Sequence, residues 1–105
     1  MNVKIKENSR IAKWAARRLG TRSMALTLGH TIHLHQATRQ TFLQDHDWVC
    51  HELQHVTQFH RYGFLRFLVL YLWESIRRGY YNNRFEAEAR AAAKNRQLLE
   101  GVSFN

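Results

Sequence analysis

His51-Glu52-Leu53-Gln54-His55 spells H-E-x-x-H. On a helix, residues i and i+4 stand about 40° apart on one face. The imidazoles of His51 and His55 can therefore hold one metal ion. Glu52, about 100° round, is close enough to reach a water on that ion, and a carboxylate there can take the water's proton as it attacks a carbonyl. The bland alternative is a surface helix carrying two histidines and a glutamate, and the surrounding residues argue against it. Advancing 100° per residue from His51, the side chains of Trp48, Val49, Cys50, Leu53, Val56 and Phe59 fill an arc of roughly 60° to 260°. Gln54 and Gln58 fall near 300° and 340° on the same wheel. The histidines thus border an apolar stripe, with a dry wall on one flank and an opening on the other. Asp45 or Asp47 can cap the start and Gly63 can end the segment, which predicts a helix over residues 46 to 61.

A catalytic zinc takes three protein ligands and keeps one position for water. The extended pattern H-E-x-x-H-x-x-G-x-x-H would need glycine at 58 and histidine at 61, but the chain has Gln58 and Arg61. His60 falls on the far side of the helix and reads as a helix-end or core-edge residue. The other source is a downstream carboxylate. The run Asn82-Asn83-Arg84-Phe85-Glu86-Ala87-Glu88-Ala89 opens a strong helix, with asparagine as cap and then alanines. Glu86 and Glu88 lie about 200° apart on it, so only one can face a metal. Glu86 could instead form a capping box with Asn83, and Glu88 could be a solvated charge. Ala87 and Ala91 are the small residues expected to let this helix approach closely.

H-E-x-x-H followed by Phe85-Glu86-x-x-Ala89 on a later helix resembles the gluzincin metallopeptidases. The arrangement is similar to the CAAX-prenyl-protease branch and to the small minigluzincins. The likeness covers roughly residues 24 to 95. It implies His51 and His55 as zinc ligands, Glu52 as general base and Glu86 as third ligand. It also implies a small sheet whose edge strand binds substrate in extended form. The family often has an acidic residue four beyond the ligand glutamate, supporting a histidine. Arg90 stands there in this chain, which keeps Glu88 open as alternative ligand or support.

Other segments supply the scaffold. Residues 9 to 19 read as a basic amphipathic helix packed on the core through Ile11, Trp14, Ala15 and Leu19. Met24 to His35 alternates in part around Gly29-His30 and predicts a short β-hairpin. His33 and His35 share the face opposite Ile32 and Leu34, either solvated or lining a cleft. Phe64 to Trp73 is the most apolar run. It falls short of the ~20 residues that span a bilayer, and Arg66 interrupts it. It predicts a helix buried on most sides and ending near Arg77-Arg78-Gly79, with an interfacial helix dipping into lipid as the other reading. The expected fold is α+β: one minimal zincin-like domain over residues 1 to 105, mostly helical, with a short antiparallel sheet.

At 105 residues and 45% hydrophobic, the chain can build one modest core and is not of disordered composition. A single cysteine excludes an internal disulfide. Cys50 lies on the apolar side of the motif helix, as a small buried residue rather than a ligand. The free thiol and the lack of an apolar leader segment point to a cytoplasmic chain, with membrane association as an option. The net charge of +8 and pI near 10.4 favour anionic partners: nucleic acid, acidic lipid or acidic peptide. No nucleic-acid module is recognisable, which argues against that class.

These features predict a zinc-dependent metalloendopeptidase acting on a peptide or protein through a metal-bound water. Tyr80, Tyr81, Arg84 and His60 are candidates for a second electrophile at the oxyanion. Two alternatives remain. One is a latent or inactive zinc-binding module, whose cleft the tail Gln97 to Asn105 could cover. The other is a basic membrane or nucleic-acid adaptor in which the motif is incidental.

Overall fold

A computed structural model describes residues 1–105. The chain opens with a strand, β1 (Asn2–Lys6), in which Val3 and Ile5 are buried and the alternating residues are exposed. Ser9 then caps α1 (Arg10–Leu19), its Oγ accepting from Ala12 N, and Gly20 ends the helix in the left-handed region at φ 72°. The hairpin β2 (Met24–Leu28) and β3 (Thr31–His35) is antiparallel, with Thr27 opposite Ile32. The sheet around it is mixed rather than antiparallel. β1 pairs parallel to β3, and a final strand, β4 (Ser103–Phe104), pairs parallel to β1. Parallel pairing needs a long crossover, and the segment carrying α1 supplies it between β1 and β3. The order β2-β3-β1-β4 leaves β2 on one edge.

One face of the sheet carries the core. Val3, Ile5, Ile32 and Leu34 pack against Phe42 of α2 (Arg39–Gln44) and Val49, Leu53 and Val56 of α3 (His46–Tyr62). The tail closes the side away from β2. A short 3₁₀ turn at Arg96–Leu99 and β4 lay Leu98, Leu99, Val102 and Phe104 against this core. Gln97 to Asn105 therefore does not cover a cleft beside β2. The other face lies under α1, where His33 Nδ1 and Ser9 Oγ are 2.9 Å apart and both residues are buried. His33 neither faces solvent nor lines a cleft; parity placed it correctly opposite Ile32, but α1 occupies that side.

α3 begins at Asp45, whose carboxylate accepts from Trp48 N, and ends at Gly63. α4 (Phe64–Asn82) follows directly and breaks at Gly79, φ 80°, a left-handed conformation that glycine adopts without a steric penalty. This helix is not buried on most sides. Only Phe67 and Glu74 are fully buried, while Leu65, Val69, Leu72, Trp73 and Ile76 are all more than half exposed. α4 is an outer helix, packed inward against α3 and α5 (Arg84–Ala92). No helix is long and apolar enough to cross a membrane.

The start of α5 is stapled to α4. Asn83 accepts from Phe85 N and donates to Tyr71 O and Ser75 Oγ, while Glu74 accepts from Arg84 N. Glu74, the one acid on an apolar helix, thus satisfies a helix-start donor that would otherwise lack a partner. Phe85, fully buried, lies 4.9 Å from the Phe67 ring, which is 4.6 Å from that of Phe59. This edge-to-face cluster fixes the rotation of α5. Ala89 is the small residue buried in the contact; Ala87 and Ala91 face solvent.

Candidate metal centre

Because Phe85 is locked in the aromatic cluster, Glu86 one position on is turned toward α3. Its two oxygens divide between the histidines: Oε1 lies 3.2 Å from His51 Nε2 and Oε2 lies 3.2 Å from His55 Nε2. One ligand atom from each of His51, His55 and Glu86 falls within 4.8 Å of the others, so this group could hold a metal ion. Glu86 is 4% exposed and takes no part in a capping box, since Asn83 caps through Phe85 N. Glu88 is exposed and points instead at Gln58.

The neighbours of these groups fix their orientation. Gln58 is buried; its amide nitrogen donates to Phe85 O and to Glu88 Oε1, each at 3.1 Å. Both partners can only accept, so the amide oxygen faces His55 Nδ1, at 2.8 Å. Nδ1 must then carry a proton, which leaves Nε2 as the atom that faces Glu86, donating to its carboxylate when protonated and free to ligate an ion once that proton is lost. Tyr71 Oη donates to Glu86 Oε2 at 2.5 Å. On the other side of α3, Thr27 Oγ1 donates to Glu52 Oε1 at 2.8 Å. No buried side-chain oxygen lacks a partner, so the second Glu52 oxygen opens on the cleft.

Charge follows from this packing. Burial pushes the His55 pKa down, but the Glu86 hydrogen bond and the Glu52 and Glu86 charges outweigh it and raise it to about 9. Burial pushes Glu86 up, yet hydrogen bonds from His51 and His55 hold it well below the ordinary carboxylate range. Glu52 goes the other way: burial raises it, offset only in part by His55, His51 and Thr27. One fully ionised carboxylate and one with raised basicity thus stand side by side. Burial, with Glu86 beside them, also raises the hydroxyls of Tyr71 and Tyr80, which stay protonated as donors.

The centre lies where two clefts meet beside the free edge of β2. One, of about 750 Å³, runs past Met24, Asp45 and Trp48; the other, of about 560 Å³, runs between α1 and α4. Both are lined by His51, Glu52 and Tyr80. Of the four oxyanion candidates, Tyr80 lines these clefts. Tyr81 is exposed beneath the Arg90 guanidinium, Arg84 lies over the Phe85 ring, and His60 is exposed at the end of α3 near His30. Arg90 donates to Tyr81 O and supports no histidine. Cys50 is buried, with Arg96 against its sulfur.

Sequence reasoning missed Thr27, Tyr71 and Gln58 as supports. Thr27 carried a faint signal, a hydroxyl at the alternate position to Leu26 and Leu28, on the side that faces α3. Tyr71 sat unmarked in an apolar run.

Residues 1–63 match the model of the family described as eCIS core domain, and the chain belongs to that family. The matched span runs from β1 to the end of α3 and holds both histidines and Glu52; Glu86 lies beyond it. No curated protein and no solved structure matches the chain.

Proposed function

We propose that this protein is a zinc-dependent metallopeptidase of gluzincin type. The observation that carries the reading is the convergence of His51 Nε2, His55 Nε2 and both Glu86 oxygens at 3.2 Å, with Glu52 alongside. One ligand atom from each of the three residues lies within 4.8 Å of the others, close enough for a single ion to draw in, and two imidazoles with a carboxylate suit zinc in chemistry. Bound there, zinc would bring the pKa of a water toward 7 and polarise a carbonyl.

The protein's own groups do the rest. His51, His55 and Glu86 hold the ion, and Gln58 and Tyr71 orient the last two of them. Glu52, held through one oxygen by Thr27, accepts the water's proton on the other and delivers it to the leaving amine. Its raised pKa makes it a stronger base than an exposed glutamate. Tyr80 Oη is the donor for the developing oxyanion. A substrate in extended form can add to the free edge of β2, which lines both clefts.

The test compares wild type and Glu52→Gln on an unfolded protein substrate, with zinc content measured on both. Glu52→Gln is expected to keep zinc and lose cleavage by about 100-fold or more. Equal cleavage by both proteins would remove Glu52 as base. Zinc in both with cleavage by neither would favour the latent, zinc-binding module.

A further inference from the structure

We propose that the outer face of α4, together with the exposed edge of α1, docks on an anionic lipid bilayer. Leu65, Val69, Leu72, Trp73 and Ile76 are exposed by 71, 59, 52, 57 and 79%. Counted at 100° per residue they fall within about 100° of arc, and Leu65 to Ile76 spans roughly 16 Å of helix. A stripe of this length with no protein against it is far from the scattered single exposures of an ordinary surface. On α1, Trp14 is 66% and Ile11 47% exposed, and they border the same cleft as Leu68 and Leu72 of α4. The apolar surface therefore continues from one helix to the other.

Charge decides what covers it. Arg66, Arg77 and Arg78 on α4 and Arg10, Lys13, Arg17 and Arg18 on α1 are all exposed. The two helices hold one acid between them, Glu74, and it is buried against Arg78 and Arg84 N. A second copy would set this cationic rim against its own like, at a repulsive cost. A peptide substrate in the cleft between α1 and α4 would meet Leu68, Tyr71 and Leu72 but leave Leu65, Val69, Trp73 and Ile76 uncovered. An anionic bilayer suits both features. The aliphatic side chains and the two tryptophans enter the boundary between headgroups and acyl chains, while the arginines meet lipid phosphates. As neither helix is long and apolar enough to span a membrane, the chain lies on the surface.

The test is binding to vesicles of phosphatidylcholine alone or with phosphatidylserine, read by flotation and tryptophan emission. It reads no chemistry at the metal centre and is run on the protein as purified, so it stands or falls separately from the peptidase reading. Expected are binding to the anionic vesicles only, a blue-shifted emission, and loss of both on raising salt. Arg66→Ser with Arg77→Ser should lower the partition roughly 25-fold, about fivefold for each arginine. Val69→Ser with Ile76→Ser should abolish the blue shift. All four positions are exposed, and circular dichroism verifies that the variants fold. Equal binding to neutral vesicles, or none to anionic ones, overturns the proposal. So does a stable dimer that Val69→Ser with Ile76→Ser converts to monomer, since a second copy would then cover the face.

Discussion

Gln58→Leu is the sharpest perturbation of the metal centre that leaves every proposed ligand in place. Gln58 is 2% exposed and ties His55 Nδ1, Phe85 O and Glu88 together. Leucine fills a similar volume but can neither accept nor donate. Phe85 O, in the first turn of α5, still has its helical acceptor role, and Glu88 is exposed and returns to water. The damage therefore concentrates on His55 Nδ1–H, a buried donor left without an acceptor. Such a group costs about 1–3 kcal/mol, which should appear in the unfolding of the metal-free protein. Losing the group that orients a ligating histidine lowers metal affinity about 10- to 100-fold. Competition against a chromophoric chelator measures the second effect, and thermal melting followed by circular dichroism measures the first. Glu88→Gln should do far less, because its amide oxygen still accepts from Gln58. A folded Gln58→Leu variant that binds zinc within about twofold of wild type would refute the orienting role. An equal loss in Glu88→Gln would transfer that role to the carboxylate.

Thr27→Val removes the donor to Glu52 Oε1 while keeping the side chain's shape. A hydrogen bond to a charged group contributes about 1.5–3 kcal/mol, so peptide cleavage should fall roughly tenfold or more while zinc content stays at the wild-type level. Phe85→Ala empties the centre of the aromatic cluster that sets the rotation of α5. It should cost about 3–5 kcal/mol in urea unfolding and weaken metal binding, though Phe85 touches no metal. Asp47 is held below its ordinary pKa by hydrogen bonds from Arg96 and Lys94, which tie the tail to α3. A carboxylate with depressed folded pKa contributes stability that is present above its unfolded value, roughly 3.9, and is lost as pH falls through the folded one. Asp47→Asn should therefore lower the melting temperature at neutral pH, with the difference from wild type vanishing in strong acid.

The α+β class and the approach of Glu86 to His51 and His55 were both legible in the sequence; the pairing of the sheet was not. The motif helix follows from local chemistry: Asp45 caps it, Gly63 stops it, and the apolar arc from Trp48 to Phe59 turns the histidines toward one flank. Glu86 could be preferred over Glu88 because it follows Phe85, and burial of that ring is what aims it. Parallel pairing was invisible for a physical reason. β1 meets β3 across about two dozen residues and β4 across nearly the whole chain, and no local pattern encodes either partner. α4 was misread because an apolar run looks the same whether protein or something else covers it. Gln58, Tyr71 and Thr27 act through partners on other elements, so their roles exist only once α3, α4, α5 and β2 are assembled.

Elemental analysis of the purified chain, beside Glu86→Gln and Glu88→Gln after dialysis against a weak chelator, tests the central claim most directly. About one zinc per chain should remain in wild type and in Glu88→Gln, and much less in Glu86→Gln, which gives up a charged ligand. Metal-free wild type under these conditions, or full zinc retention in Glu86→Gln with loss in Glu88→Gln, would contradict the account.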